Sequence, residues 1–266
     1  MNRSAIARFN AAAATYAPCA TVQQRVAERL AGQIQALQWP VAIRSILEVG
    51  CGTGLLTARL RDAFPEASRL AVDASEAMVR EARRQMADDG GTAFAVADAR
   101  CLVCHDRFDL VASSSVLQWI PPLPDTIRNL AGLLRVPGLL ATAVMLDGTL
   151  GELHAARLCV AADRPPSARL PALDELRQAC AAAGLRLQVL VQETLTKEHP
   201  SARDFLREIH SQGLTGGPVS AGVRPLTRTQ LAALCRVYEE RFPGSNGGVR
   251  ATYCVGYALG LKEAQR

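Results

Sequence analysis

The sequence predicts an open α/β fold, a mostly parallel sheet with helices on both faces, on three observations. Apolar runs of strand length alternate with segments of helical spacing. The first run leads into the glycine-rich stretch Glu48-Val-Gly-Cys-Gly-Thr-Gly54, and the next two end in Asp73 and Asp98. In open α/β sheets, ligand-binding residues collect at these carboxyl ends of the strands.

Taken in order, Phe9 to Tyr16 is alanine-rich with two aromatics and reads as a short packing helix. Thr21 to Leu30, continued through Ile34 and Leu37, carries apolar residues at helical spacing and predicts an amphipathic helix that covers the sheet. Ile43 to Leu47 is the first strand, Thr53 to Phe64 a helix, and Leu70 to Asp73 the second strand. Ser75 caps another helical pattern, with Met78 in its first turn. Ala95 to Asp98 closes the third unit, and Phe108 to Ser113 is the fourth strand. Leu130 to Leu146 reads as a helix end, a turn at Arg135 and Pro137, and a fifth strand from Gly138 to Met145.

The remainder departs from a direct closing hairpin. Asp163 to Pro171 is a proline-rich loop, Asp174 to Ala183 a helix ended by Gly184, and Leu185 to Thr196 a strand. Ser201 to Ser211 reads as a helix with Ser201 and Asp204 at capping-box spacing, followed by a glycine-rich loop, Gly213 to Pro225. Thr227 with Gln230 opens a final long helix, and Ala251 to Leu259 is the seventh strand. The expected organisation is one domain over residues 1–266. A helical cover (1–40) precedes the core (41–146), an acceptor-side elaboration and lid (147–225), and a closing helix and strand (226–266).

Composition narrows the function classes. A formal charge of +5 without a lysine or arginine block excludes an obvious duplex-binding face. The most apolar stretch is broken by Arg135 and Pro137, too short for a membrane span. Arg3 and Arg8 are followed by alanines and then Tyr16 and Pro18, with no signal-peptide core, which predicts a cytoplasmic protein. Its eight cysteines then read as reduced thiols. Cys101-Leu-Val-Cys104-His105 matches a haem-attachment pattern by spacing alone. It falls in a loop between strands of a cytoplasmic-looking fold, no second Cys/His pair completes a zinc site, and no metal is expected.

The glycine-rich turn lets a ligand approach main-chain N–H groups at the start of a helix. Its third glycine comes one residue too early for the dinucleotide fingerprint. Glu-x-Gly-x-Gly-x-Gly resembles motif I of the class I methyltransferases that use S-adenosylmethionine, a Rossmann-like fold with a seven-stranded sheet. That resemblance implies that Glu48 holds the amino acid end of the cofactor. Asp73 would accept from the ribose hydroxyls, Met78 would pack on adenine and Asp98 would accept from its amino group. Ser114 to Trp119 occupies the usual place for residues that flank the methionine part and the reacting centre.

Nearly end to end, the chain further resembles the malonyl-acyl carrier protein O-methyltransferases of biotin synthesis. The marks are Phe9 to Tyr16 with Gln23, Leu117-Gln-Trp119, Gly148-Thr-Leu-Gly-Glu-Leu-His154, Phe205 to Gly213, Leu226-Thr-Arg-Thr-Gln-Leu231 and Ala251-Thr-Tyr253. The resemblance implies S-adenosylmethionine as cofactor, with Gln23, Glu48, Gly50, Cys51, Gly52, Gly54, Asp73, Ala74, Met78, Asp98, Ala99, Ser114 and Gln118 around it. It implies an α-helical lid and an acceptor that is malonyl-acyl carrier protein or malonyl-coenzyme A. Tyr16, Arg207 and His210 are the expected catalytic residues, with Arg228 and Tyr253 as further donors. Ala11 stands where the family usually has an arginine, so no carboxylate contact is assigned there. Arg203 and Arg207, at i and i+4, read equally as a solvated helix face. Two other readings stay open, a methyltransferase for another small carboxylate or a quinone-like ring, and a cofactor-binding regulator without turnover.

Overall fold

The computed structural model describes residues 3–38, 42–87, 90–104, 107–161, 169–215 and 226–264. Its strands, β1 (Ser45–Val49), β2 (Ser68–Asp73), β3 (Thr92–Val96), β4 (Phe108–Ser114), β5 (Leu134–Met145), β6 (Leu185–His199) and β7 (Val249–Lys262), form one sheet in the order β3-β2-β1-β4-β5-β7-β6. The first five strands pair in parallel. β7 runs antiparallel between β5 and β6. The chain leaves β1 toward β2 and β3, then returns to build outward from β4, so the strand order reverses between β1 and β4. A crevice opens at the carboxyl ends of such a switch point.

The connecting helices are α3 (Leu55–Ala63), α4 (Glu76–Gln85), α5 (Leu123–Gly132), α6 (Gly151–Val160), α7 (Leu173–Ala182), α8 (Ala202–Ser211) and α9 (Arg228–Arg241), after an N-terminal pair, α1 (Arg3–Cys19) and α2 (Thr21–Ala36). α2 buries Val22, Val26, Ala27, Leu30, Ala31 and Ile34, the stripe its spacing predicts. That stripe joins the core with Leu47, Leu110, Val111 and Leu140 from the central strands.

Two expectations are corrected. β5 begins at Leu134, before the expected turn, because Arg135 to Pro137 bulge out of the ladder: pairing passes from Phe108↔Leu134 to Leu110↔Leu139. Proline lacks the N–H a regular ladder needs, and a bulge accommodates it. The sequence reading also missed α6, whose N-cap, Leu150, is left-handed at φ 53° and offers no capping side chain. The proline-rich loop, the glycine-rich loop and His105 lie partly or wholly outside the described residues. No helix among the described residues is long and apolar enough to cross a membrane.

Candidate active site

The turn from β1 to α3 shapes the floor of the site. Gly50, Gly52 and Gly54 sit at φ +76°, +54° and +93°, where an L side chain is strained. A Cβ on Gly50 would also collide with the Val116 side chain. The Gly50 and Cys51 amides donate to Val72 O at 2.7 and 3.0 Å, which ties the turn to β2. Gly54 caps α3 and packs against α4 near Ala82 and Met86, so it sets the turn's geometry from outside the cavity lining.

Above this floor lies a cavity at the carboxyl ends of the central strands. Glu48, Gly50, Cys51, Gly52, Asp73, Ala74, Met78, Asp98, Ala99 and Ser114 all line it, as do Tyr16 and Gln23 from the N-terminal helices. Asp73 accepts from Gly52 N at 3.0 Å and Ser75 N at 2.8 Å. Ser75 caps α4 by accepting from Met78 N and donates to Asn10 at 2.7 Å, which fastens α1 over the cavity. Asp98 is turned toward Arg100 at 2.7 Å, and that hydrogen bond holds its carboxyl down at about 2.

A smaller chamber adjoins the first and shares Phe9, Tyr16, Gln23, Ser115 and Trp119 with it. Gln118, Met145, Leu214 and Tyr253 complete its wall. Phe9 meets Trp119 edge to face at 5.3 Å. Ser115 is a non-glycine residue at φ 60°, and its buried Oγ has no hydrogen-bond partner. Tyr253 is aimed by its neighbours in β7. Thr252 donates through N and Oγ1 to buried Glu152, and Cys254 exchanges hydrogen bonds with Thr149 at 3.0 Å, so strand alternation turns Tyr253 to the chamber side. The Gly148 to His154 segment thus positions a site residue on β7.

The electrostatics are one-sided. No Lys, Arg or His is among the described residues that line either space. Glu48 is buried with Oε2 unpartnered, and burial, with the nearby charge of Asp73, pushes its carboxyl up to about 8. Burial also raises Asp73, against the amides that donate to it, and raises the Tyr16 hydroxyl, which stays protonated. A buried carboxylate without a cation is costly. This donor set therefore fits a ligand that brings its own positive charge, such as S-adenosylmethionine with its sulfonium and ammonium groups.

Arg207 and His210 are not brought to this site. Both are exposed on α8, outside the lining of the two cavities, and Arg207 pairs with Asp204 at 3.2 Å. Arg228 is likewise exposed at the start of α9. The elaboration reaches the chamber instead through Leu214 and through Gln212, which accepts from Gln23 Nε2 at 3.1 Å and donates to Cys19 O at 2.8 Å. Met145 and Leu214 were missed in the sequence, whereas Ser115 falls within the expected segment Ser114 to Trp119 without being singled out. Only the three serines that end the fourth apolar run gave a signal for any of them. Among the described residues no group of three or more His, Cys, Asp or Glu is placed to hold a metal ion.

A methyltransferase-domain family model matches residues 46–138, the strands and helices that build the cofactor side of the cavity. Malonyl-[acyl-carrier protein] O-methyltransferase of Geobacter sulfurreducens is 36% identical over 260 residues, 96% of each chain. The Bacillus anthracis protein of the same name is 29% identical over 266 residues, 97% of each chain. Among solved structures, the YcgJ protein from Bacillus subtilis superposes with a TM-score of 0.64 at 16% identity, over 89% of this chain and 99% of that one, a likeness of fold.

Proposed function

This chain belongs to the malonyl-[acyl-carrier protein] O-methyltransferase family, and from that membership we propose that it methylates the free carboxylate of a malonyl thioester, an early step of biotin synthesis. The observation that carries the reading is the pairing of a cavity without a cation among its described lining residues, containing buried Glu48 and half-buried Asp73, with a chamber lined by neutral donors. When bound, S-adenosylmethionine supplies an electrophilic methyl group, and its sulfur takes the electron pair of the breaking C–S bond as a carboxylate oxygen forms the new C–O bond.

Glu48, with its free oxygen, would hold the cofactor's ammonium group, and Asp73 retains lone pairs for the ribose hydroxyls. The acceptor needs no general base, because a carboxyl group of ordinary pKa, ~4, is ionised at neutral pH. What the protein contributes is position and dryness. Tyr16, Tyr253 and Ser115 line the chamber and bring neutral hydroxyl donors to it. A neutral donor orients a carboxylate and withdraws less of its electron density than a cation would. Phe9 and Trp119 keep water from the attacking oxygen. The eight cysteines are all free, as suits a cytoplasmic protein.

The test is incubation with labelled S-adenosylmethionine and each malonyl thioester, with methyl ester identified by mass spectrometry. We expect ester from the carrier-bound substrate. Tyr16→Phe and Tyr253→Phe should each slow turnover about 10–100-fold, the worth of one donor to a charged acceptor, and change cofactor affinity far less. Absence of ester from either thioester would reject the reading.

A further inference from the structure

A malonyl thioester has a long tail that has to leave the reaction chamber, and the chamber has a polar weak point in its wall. Gln118 is 9% exposed, and its Nε2 donates to Ser115 O at 2.8 Å. Its Oε1 is buried without a hydrogen-bond partner. An amide oxygen left in this state carries a desolvation cost that a ligand N–H would remove.

Gln118 also lines a second space. On its other side an open groove runs between the segment Leu117–Pro124 and the start and body of α7. Leu123, Pro171 and Ala179 give this groove apolar walls, Gln178 and Ala182 stand exposed along α7, and Arg169 is the cation among its described lining residues. Arg169 is itself exposed and paired with Glu175 at 2.7 Å.

The geometry points to this groove as the seat of the pantetheine arm, with Gln118 Oε1 accepting from the arm's amide nearest the thioester. Carrier proteins and coenzyme A share that arm: a flexible chain of methylenes interrupted by two amides and ended by a phosphate. Its methylenes suit the apolar walls, its inner amide suits the unpartnered oxygen, and its outer phosphate would meet Arg169. The assignment rests on the thioester reading above. It adds the route by which the acceptor reaches the chamber and a residue, Gln118, that distinguishes an amide-bearing arm from a plain alkyl thioester.

Filling the groove tests it. Ala182 and Gln178, four residues apart on the same helix face, are exposed and outside the lining of both the cofactor cavity and the reaction chamber, so Ala182→Trp and Gln178→Trp each narrow the groove at positions that do not line the reaction chamber. Three substrates are compared: malonyl-carrier protein, malonyl-coenzyme A and malonyl-N-acetylcysteamine, which keeps the inner amide and lacks the outer arm. Either variant should raise KM about tenfold, ~1.4 kcal/mol, for the two long substrates and change it less than about twofold for the short one. An equal effect on all three, or an effect on the carrier-bound substrate alone, would overturn the assignment. Calorimetric binding of pantetheine to the cofactor-loaded protein reads the groove independently of turnover. Weaker binding to the tryptophan variants is expected, and unchanged binding would overturn the assignment even if the malonyl acceptor itself proved wrong.

Discussion

Glu48 concentrates the electrostatic problem of the site in one side chain. Its carboxyl is buried beside Asp73 and pushed up to about 8, so at neutral pH the ligand-free protein holds it mostly protonated. The sign follows from the folded value lying above the unfolded one of ~4.3. Its contribution to stability is fully present below the unfolded value and is lost as pH rises through about 8. A cationic ligand reverses the preference and draws the proton off. At pH 7, S-adenosylmethionine binding to the wild type should therefore release roughly one more proton than binding to Glu48→Gln, measured by calorimetry in buffers of different ionisation enthalpy. Equal proton counts would remove Glu48 from the ammonium site. Burying a neutral amide in place of this carboxyl should also make the ligand-free variant the more stable of the two above pH 8. This role was half legible in the sequence: the acid before the glycines was visible, but its isolation from the described cations depends on which distant side chains face the cavity.

At the scale of elements, the strand–turn–helix unit from β1 to α3 carried the clearest local signal, because its three glycines each occupy positive φ. The chemistry of glycine alone predicts that geometry. Gly50→Ala meets two penalties, the left-handed backbone at ~1–2 kcal/mol and the clash with Val116 at ~1–3 kcal/mol. Thermal unfolding should show both. Val116→Ala in the same chain should relieve the clash and leave the backbone penalty, and a double variant no more stable than Gly50→Ala would mean that Val116 is not the obstacle. α6 carried no comparable local signal. Its start, Leu150, has no capping side chain, and the helix is held from outside through Glu152, which accepts from Thr252 in β7. The bulge in β5 was hidden for a related reason, since Pro137 reads locally as a turn while its flanks pair with β4. Where tertiary pairing overrides local preference, sequence spacing carries little information.

At the scale of the whole molecule, the placement of α8 separates two roles that the sequence reading had merged. Ala202, Phe205 and Ile209 are the buried stripe of α8. A helix with that stripe must turn Arg203, Arg207 and His210 outward, and all three are exposed. The spacing is present in the sequence, and it is what gives Arg203 and Arg207 their reading as a solvated helix face. With the site free of described cations and the chain at a formal +5, positive charge is left to act on the outside. Carrier proteins are acidic, and an excess of exposed arginine would speed their approach through a long-range field that salt screens over about 10 Å at 0.1 M. Cofactor and small thioester meet a site whose charges are buried, where screening is weak. Between about 0.05 and 0.3 M salt, kcat/KM for the carrier-bound substrate should fall roughly five- to tenfold, while that for malonyl-N-acetylcysteamine stays within about twofold. Reversing the charge with Arg203→Glu and Arg207→Glu should lower the first value at low salt and flatten its salt dependence, because α8 is outside both cavities. Parallel salt responses for the two substrates would place carrier recognition in contacts other than charge, and α8 would then be a packing element only.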